Sequence, residues 1–495
     1  MPPDKNLSIQ SWLCPALTPV PANLDYDCFK EIIENIDKVI LTTCIESLAA
    51  NYALANEKDL NEKQQASKAE FGIYALRVNV LRDLLGHISF RELSRQISRS
   101  DLLASFCGVL RLDGICWASK STLGRASKLF TKEQLKHLHQ TVLDSCSNKQ
   151  RCCNIGLEEP IDASICLVDG TCLETNIHFP TDWILLKDVA VTLLKATKLI
   201  RTADLLCRMP NEPKHFAKEM NRLCIEMTHS RRRKGGKKMR KGVLRKMKRL
   251  LKRIGEHAYK HCQRLKDQWD QTNYSKAQAE QIIQRIETKL VQLPQVIKQA
   301  HERIIGERQV ASKDKILSVH ETDTQVIVRG KAGKEVEFGN TLFLAESVQG
   351  YILDWKLYQG QAPAETQQLL QSLQRQNQYN LQSPIVEVVS DRGFASKQIS
   401  ELLNKENIFD ATCPRQPQKL SEKMQNKRFS ASQKRRGATE ARIATIKNIW
   451  LAKRVRARGF AHRNLAVGWA VIGHNLWLIA KMIAQAEKQR QKQAA

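Results

Sequence analysis

Two aspartates follow apolar runs that have the length and composition of buried strands. Ile165–Val168 leads directly into Asp169, and Val386–Ser390 leads into Asp391, with a glycine within two residues of each. The pattern predicts that each strand delivers a carboxylate at its C-terminal end, where glycine opens a turn. If the strands are neighbours, the two charges repel unless a proton or a divalent cation lies between them. A single strand-terminal Asp can equally be a turn former that caps backbone amides.

A third carboxylate lies on a predicted helix. Ala438–Arg454 has helical periodicity and contains Glu440, with Arg436 one turn before it and Lys447 two turns after it. Three carboxylates from two strands and a helix can hold two Mg²⁺ or Mn²⁺ ions about 4 Å apart, which suits an in-line phosphoryl displacement. Arg436 and Lys447 would then hold the scissile strand. Taken alone, Glu440 among its neighbouring arginines could also be a surface ion-pair residue.

The charge of the chain points to a polyanionic partner. The 495 residues contain 79 Lys and Arg against 51 Asp and Glu, a net charge of +28, which favours nucleic acid or an anionic membrane. No uncharged apolar stretch reaches the ~20 residues of a spanning helix; the nearest, Leu465–Ala480, contains His474 and Asn475. No secretory signal is evident at the N-terminus. We therefore expect a cytoplasmic protein that binds nucleic acid and no membrane.

The cysteines do not indicate disulfides or a zinc site. There are 14 of them, scattered without a Cys-x-x-Cys pair, as in a reduced cytosolic protein. The nearest approach to zinc-ligand spacing is His257 and His261 beside Cys262. With no second cysteine close by, an ordinary helix surface is the better interpretation of that cluster.

Much of the positive charge is concentrated in residues 186–310, which contain 31 Lys and Arg against 12 Asp and Glu. Within them, Arg231–Ile254 has fourteen basic residues and no acidic one, and apolar residues recur from Val243 to Ala258 at helical spacing. This predicts an amphipathic helix whose basic face follows a phosphate backbone. The alternatives are a solvated helix face and, over Ser230–Lys241, a disordered tract. The predicted DNA contacts here are Arg231, Arg232, Arg233, Lys237 and Lys238.

The region before residue 160 is predicted to be all-α. Two of its short helices, Phe90–Ile97 and Ser119–Phe130, each begin at a capping serine, and the second presents Lys120 and Arg125. Such a pair is typical of a helix-turn-helix DNA reader. An ordinary helical pair fits equally well, because the spacing between the two helices is not diagnostic.

From residue 161 the periodicity changes to that of strands. Further apolar runs at Ile316–Val319, Gln325–Val328 and Thr341–Leu344, a turn at Gly330–Gly333 and a crossover helix at Ala364–Gln374 predict an α/β fold with a mixed sheet. The predicted organisation is a helical DNA-binding region (1–160), the first part of a catalytic core (161–185), a basic helical insertion (186–310), the remainder of the core (311–485) and a polar tail (486–495).

Taken together, these motifs resemble those of the DDE transposases of bacterial insertion sequences, most closely the ISNCY-like group. Arg436, Glu440 and Lys447 match the Arg-x3-Glu-x6-Lys part of that signature. The segment Asp391–Phe394 is similar to the second-Asp motif, and the segment from Asp169 to Asp182 is similar to the first. The resemblance spans about residues 85–485, and the combination is more specific than any one motif.

The resemblance implies a ribonuclease-H-like catalytic core in which Asp169, Asp391 and Glu440 bind Mg²⁺, with Mn²⁺ able to substitute. It implies an enzyme that binds the terminal inverted repeats of its insertion sequence, cleaves double-stranded DNA and transfers the strand to target DNA. Arg392, Arg436 and Lys447 would contact that DNA. The expected form is a homodimer or a higher oligomer on DNA, in the bacterial cytoplasm and associated with the nucleoid.

Two departures from the family pattern stand out. Gln433 occupies the position where many relatives carry a signature tyrosine, three residues before Arg436. The basic segment separates Asp169 from Asp391, whereas in relatives the insertion follows the second Asp. Two other functions therefore stay open: a ribonuclease-H-like nuclease without strand transfer, and a catalytically silent nucleic-acid-binding relative.

Overall fold

The computed structural model describes residues 23–55, 59–111, 114–230, 233–331, 334–378, 384–451 and 455–494. The described residues of Met1–Glu174 and Asn340–Ala495 form one compact unit, and those of Thr175–Gly339 form a second. The fold is mixed α/β, as the sequence predicts. The second unit is wider than the predicted insertion at both ends, and the N-terminal helices belong to the same unit as the sheet strands that carry the two aspartates.

The N-terminal part of the first unit is helical apart from one short hairpin. Its elements are α1 (Leu24–Thr42), α2 (Ile45–Ala55), α3 (Glu62–Leu84), α4 (Phe90–Ile97), α5 (Asp101–Phe106), β1 (Leu110–Arg111), β2 (Gly114–Ile115), α6 (Lys120–Ala126), α7 (Lys132–Ser147) and α8 (Lys149–Ile155). The two serine-capped helices are confirmed: Ser89 and Ser119 each accept a hydrogen bond from the third residue of the helix that follows. The second of them, α6, ends at Ala126, and α5 and the hairpin lie between the pair in the chain.

A mixed sheet of six strands is the larger of the two sheets among the described residues. Its strands are β3 (Ile165–Glu174), β4 (Gln325–Lys331), β5 (Lys334–Ser347), β6 (Ile352–Leu357), β7 (Glu387–Ser390) and β8 (Phe409–Thr412). They lie in the order β4-β5-β3-β7-β8, and β6 also pairs with β5. β3, β7 and β8 are parallel, whereas β4 and β6 are antiparallel to β5. The predicted hairpin is thus confirmed as β4–β5; residues 332 and 333 of its turn lie outside the described residues.

Helices follow the strands in the second half of the chain. They are α13 (Glu365–Gln376), α14 (Lys397–Lys405), α15 (Pro417–Met424), α16 (Lys427–Thr445), a π-helical turn (Ile446–Trp450) and α17 (Phe460–Ala494). The predicted crossover helix is confirmed as α13. The predicted helix around Glu440 is also confirmed, but α16 begins eleven residues earlier than expected. The predicted polar tail continues α17 up to residue 494.

The long helix α17 is a core helix by its burial. Its segment Phe460–Gln493 is the one stretch of the described residues long and apolar enough to cross a membrane by composition, and 78% of its most apolar window is buried inside the protein. It packs against α1, α3 and α7. Burial against three helices accounts for its apolar composition.

The second unit is built mainly from α9 (Asp182–Thr202), α10 (Pro213–His229), α11 (Gly236–Gln268) and α12 (Lys276–Ile304), which pack on one another. The predicted apolar stripe of α11, from Val243 to Ala258, is buried in their common core. His261 is also fully buried; its Nδ1 lies 2.7 Å from the His257 carbonyl oxygen and its Nε2 lies 3.4 Å from the Cys207 amide nitrogen. The cluster is helical, as predicted, but His261 and Cys262 lie in the core of the unit and not on the expected helix surface.

The predicted strand at Ile316–Val319 is wrong. Side chains of α12 bind this backbone in place of a neighbouring strand: Gln299 accepts from the Ile316 N–H at 2.8 Å and donates to its carbonyl at 3.2 Å, and Lys289 donates to the Val319 carbonyl. Buried backbone groups need partners, and here long polar side chains supply them. The apolar periodicity of a segment does not reveal that side chains, and not a neighbouring strand, will bind its backbone.

A buried ionic cluster connects α7 to the sheet. Asp354 on β6 is 1% exposed and accepts from Ser372 Oγ at 2.7 Å and from Arg375 Nη2 at 2.6 Å, while Lys136 of α7 lies 3.4 Å away. Burial by itself would raise the pKa of Asp354, but Lys136, Arg375 and Ser372 together hold it below its ordinary value. The carboxylate is therefore charged and compensated inside the core.

We predict that Asp354→Asn lowers the free energy of unfolding by about 3–5 kcal/mol at pH 7, because two half-buried cations lose their buried counter-charge. A carboxylate with a lowered folded-state pKa stabilises above its unfolded pKa, and this contribution is lost as the pH falls through the folded value. The difference in the free energy of unfolding between the variant and the unchanged protein should therefore be smaller in acid. Urea unfolding at pH 7 and pH 3 measures it, with exposed Asp267→Asn as the control. A deficit that is the same at both pH values contradicts the assignment.

Candidate functional site

The pairing of β3 with β7 brings the two predicted aspartates to one level of the sheet. Leu167 lies opposite Val389 in a parallel register. Asp169 and Asp391 each come two residues later and are half-buried. Neighbouring strands are about 4.8 Å apart. The structure therefore places these two carboxylate-bearing residues side by side, although 222 positions separate them in the chain.

One detail of that prediction needs correction, because Asp169 is not at the end of its strand. β3 continues to Glu174, since β5 lies on its other side and extends the pairing. The Oδ1 atom of Asp169 accepts a hydrogen bond from the Gly170 N–H at 2.6 Å. The carboxylate therefore projects from the middle of a strand, beside the point where its neighbour β7 stops.

Asp391 does follow the end of its strand. Its Oδ1 accepts from the Gly393 N–H at 2.9 Å, which closes a short turn. Arg415 holds the same turn from outside, with hydrogen bonds of 3.1 Å to the carbonyls of Arg392 and Gly393. The backbone around Asp391 is thus fixed, and the Arg392 side chain is exposed to solvent.

Two further glutamates, which the sequence analysis missed, lie beside the aspartates. A Cβ placed on Gly393 would overlap Glu365 Oε2 and would lie 3.1 Å from Asp391 Oδ1, so both oxygens border the same small space. Glu365 is the first residue of α13. A Cβ on Gly170 would lie 4.0 Å from Glu365 Oε1. Glu365 therefore reaches both aspartate segments.

The second missed carboxylate, Glu346, is buried on β5. Burial raises its pKa, the nearby Thr439 hydroxyl and Arg442 lower it in part, and the Asp169 charge raises it further. Arg442 Nε lies 3.3 Å from Glu346 Oε2. The sequence held a usable signal, because the apolar run Thr341–Leu344 leads into this glutamate just as two other runs lead into the aspartates.

Glu440 is on α16, but the structure does not bring its carboxylate into a cluster with the aspartates. Its side chain is 64% exposed and lies 3.7 Å from Arg436 one turn earlier. Within the described part of the chain, no group of three or more His, Cys, Asp and Glu side chains is gathered closely enough to hold a metal ion. Carboxylate oxygens are the ligands that Mg²⁺ and Mn²⁺ prefer, but the described residues do not gather Asp169, Asp391 and Glu440 into one metal-binding group.

Residues of α16 and of the π-helical turn that follows it do reach the site. Lys447 Nζ lies 3.4 Å from Thr171 Oγ1, two residues after Asp169. Gln433, at the position of the family tyrosine, donates to the carbonyls of Ser390 and Ala411 at 3.2 and 2.6 Å. These contacts hold the helix across the ends of β7 and β8. Gln433 therefore has an anchoring role within the protein here.

The predicted DNA-contacting residues outside the core are on surfaces of both units. Lys120 and Arg125 are exposed on α6 of the first unit. In the second unit Arg233, Lys237 and Lys238 are exposed, whereas Arg231 and Arg232 lie outside the described residues. Lys120, Arg125, Arg233 and Lys238 are therefore accessible to a phosphate, each within its own unit.

Part of the basic run is already neutralised within the protein. Glu307 pairs with Lys237 and, at 2.7 Å, with Lys241, and these two lysines lower the pKa of Glu307 to about 2. A different set of cations on α11 is exposed and forms no ion pair with another described residue: Lys238, Arg245, Arg249 and Lys252. At 100° and 1.5 Å per residue they form one stripe about 21 Å long.

Comparison of the chain with protein-family models, with curated proteins and with solved structures finds no match.

We predict that Glu346→Gln stabilises the protein at pH 8 relative to the unchanged chain. A carboxyl whose folded-state pKa is raised contributes stability below its unfolded pKa, and this stability is lost as the pH rises through the folded value. Glutamine stays neutral and avoids that loss, so the gain should disappear near pH 4. Urea unfolding midpoints at the two pH values measure it, and exposed Glu406→Gln is the matched control. A stability difference between Glu346→Gln and the unchanged protein that is less favourable to the variant at pH 8 than at pH 4 would contradict the raised pKa of Glu346.

Proposed function

We propose that the protein is a DDE-type transposase, an enzyme that cleaves DNA at the terminal inverted repeats of its insertion sequence and joins it to target DNA. The observation that carries the proposal is the parallel pairing of β3 with β7, which puts Asp169 and Asp391 side by side. The mixed sheet around them would be the ribonuclease-H-like core that the motif resemblance implies. Helix α16 packs on both strands and carries Arg436 and Glu440 of the Arg-x3-Glu-x6-Lys motif, and Lys447 follows in the π-helical turn.

Asp169 and Asp391 would hold a divalent cation, Mg²⁺ or Mn²⁺, and Glu440 would be the third carboxylate. When bound, such an ion lowers the pKa of a water or hydroxyl nucleophile and stabilises charge on the leaving oxygen. Glu365 borders the same space, so its charge adds to the attraction for a cation. Carboxylates this close disfavour a bare phosphate, so the cation is required before DNA can approach.

Cationic side chains around the carboxylates would position the DNA. Lys447 lies beside Thr171, and Arg392 projects from the Asp391 turn. Arg436 becomes available when its exposed pair with Glu440 opens, and its planar guanidinium suits bidentate contact with phosphate. Lys120 and Arg125 on α6 would belong to a DNA reader in the N-terminal region. We propose a homodimer or higher oligomer on DNA, in the bacterial cytoplasm.

One observation favours a second function, a catalytically silent nucleic-acid-binding relative. Glu440 pairs with Arg436 at the surface, and no group of three acidic side chains is gathered among the described residues. Such a protein would bind DNA without any metal-dependent turnover. A nuclease on the same core would hydrolyse terminal-repeat DNA without joining it to a plasmid. Strand transfer of labelled terminal-repeat DNA in Mg²⁺ separates the three functions.

We predict that Asp169→Asn, Asp391→Asn and Glu440→Gln each lower Mg²⁺-dependent cleavage and strand transfer by at least about 100-fold, because each removes a ligand charge from the ion site. DNA affinity should persist, since these carboxylates add no attraction for phosphate. The cleaved ends should carry 3′-hydroxyls, and Ca²⁺ should support binding without turnover. Gel assays of cleavage and of mobility measure the two properties.

The matched control is Asp267→Asn, an exposed aspartate on α11 of the second unit. It should cleave like the unchanged protein. Substantial Mg²⁺-dependent cleavage by Asp391→Asn would remove the central proposal. If Glu440→Gln lost cleavage while Asp169→Asn and Asp391→Asn stayed active, the essential carboxylate would be on α16 and not on the two strands.

A second prediction concerns the stripe on α11. Replacing Arg245, Arg249 and Lys252 by glutamine should weaken binding to all DNA sequences alike and reduce the slope of log affinity against log salt by about 0.9 per lost phosphate contact. Replacing Lys237 and Lys241 is the control on the same helix, because both already pair with Glu307, which offsets one of their two charges. Fluorescence anisotropy from 50 to about 300 mM salt measures both variants. Equal slopes for the two variants would show that the stripe is only a solvated face.

A further inference from the structure

A cavity of about 300 Å³ lies in the first unit and shares no lining residue with the aspartate site. It is enclosed by the end of α3, the start of α4, the end of α6 and the segment that leads into α17. Its volume is at the lower end of the range for small-molecule sites. None of the predicted catalytic residues lines this cavity, so the proposed catalytic site does not explain what the cavity could bind.

A buried Asp–His pair forms one wall of the cavity. Asp83 and His87 are 1% and 2% exposed, and Asp83 Oδ1 lies 2.5 Å from His87 Nδ1. His87 Nε2 and Asp83 Oδ2 have no hydrogen-bond partner among the described residues. Leaving a buried polar atom unsatisfied costs about 1–3 kcal/mol. When the His87 Nδ1–H donates to Asp83, the Nε2 atom of a neutral imidazole and the Oδ2 atom of Asp83 are both acceptors, so the pair suits a ligand with donor groups, such as a sugar hydroxyl or a base amino group.

The backbone that presents His87 is strained. Its φ is +54°, in the left-handed region that non-glycine residues seldom adopt, directly after Gly86 at +75°. This turn ends α3 with a hydrogen bond of 2.9 Å from the His87 N–H to the Arg82 carbonyl. Strain of this kind persists where the surrounding structure requires the side chain in one place. Here that place is the wall of the cavity.

The remaining polar lining is cationic. Arg82, Lys128, Arg456 and Arg458 line the cavity together with His462, and Asp83 is the one carboxylate among its described lining residues. Arg458 and His462 flank the first turn of α17, whose N-terminal amides carry partial positive charge. A 35-residue helix beginning at this point adds to the field of the arginines. The opening therefore favours an anion, and its arginines suit phosphate oxygens.

The other side of the cavity is apolar. Phe90, Leu465 and Trp469 line it, with Ala457 and Ala466 beside them. The Arg82 guanidinium lies 4.2 Å from the Phe90 ring centroid, so this ring is held in place. A flat apolar group fits against such a wall, and an inorganic anion alone would leave it empty. Phosphate, a polar sugar and a flat ring together satisfy all three parts of the lining.

We propose that this cavity binds a nucleoside 5′-monophosphate group, either as a free nucleotide or at the 5′ end of a DNA strand. The phosphate lies against Arg456, Arg458 and Lys128, and the base lies against Phe90 and Trp469. The Asp83–His87 pair hydrogen-bonds the sugar or the base edge. Binding requires no metal and no cleavage, so it stands or falls independently of the proposed transposase activity.

Calorimetry on the full-length protein without divalent metal tests the proposal. dAMP should bind at least about tenfold more tightly than deoxyadenosine and than inorganic phosphate, because each lacks one part of the ligand. The double variant Arg456→Glu/Arg458→Glu should lose at least about tenfold in dAMP affinity. Its matched control is Arg490→Glu/Lys492→Glu, which makes the same charge change near the far end of α17.

A 5′-phosphorylated trinucleotide and its 5′-hydroxyl form distinguish the two sources of the ligand. Tighter binding of dAMP would identify the ligand as a free nucleotide, and tighter binding of the phosphorylated trinucleotide would identify it as the 5′ end of a strand. Either result supports binding of a nucleoside 5′-monophosphate group. His87→Leu should also weaken dAMP binding. If the His87→Leu protein does not fold, the Arg456→Glu/Arg458→Glu variant, whose changes are at exposed positions, tests the proposal instead. No binding of dAMP or phosphorylated trinucleotide at about 5 mM, or equal affinity of the Arg456/Arg458 variant, overturns the proposal.

Discussion

The pairing of β3 with β7 is the constraint on which the candidate site depends. Two half-buried carboxylate-bearing residues follow paired positions of neighbouring strands, so like charges that repel each other come to one level of the sheet. The parallel ladder, the Arg415 contacts to the Asp391 turn and the apolar core beneath the sheet hold them there. A cation between the carboxylates turns that repulsion into attraction. In the proposed function, this repulsion is the physical reason why the two aspartates would require a cation.

The sequence predicted the elements whose signal is local. The helix Phe90–Ile97 has the bounds that its capping serine and periodicity indicate, and the apolar stripe of α11 is buried as expected. The sequence failed where pairing partners decide the outcome. Ile316–Val319 has the composition of a strand, but Gln299 and Lys289 bind its backbone in place of a neighbouring strand. β3 runs past Asp169 because β5 pairs with it, and no pattern within β3 indicates where that pairing ends.

The candidate site was predictable in part for the same reason. Asp169 and Asp391 share a local pattern, so their proximity required only that their strands be neighbours. Glu346 has the same pattern and was missed, whereas Glu365 has no local signal and reaches Gly393 only because α13 crosses the sheet. The cavity beside His87 could not be predicted, since it depends on a positive φ and on residues nearly 400 positions apart.

The exposed position of Glu440 decides how the site would be completed. Glu440 forms a surface ion pair with Arg436, which contributes about 0–1 kcal/mol to stability. The Glu440 side chain can therefore change rotamer at little cost. Movement of the helix itself would break the Gln433 bonds to β7 and β8 and the Arg442 contact with buried Glu346, which are worth more in total. The helix therefore stays in place, and any approach of Glu440 to the aspartates is a motion of its side chain. Such a motion leaves Arg436 without its carboxylate partner and available to a phosphate, so binding of a cation by Glu440 and binding of DNA by Arg436 would favour each other.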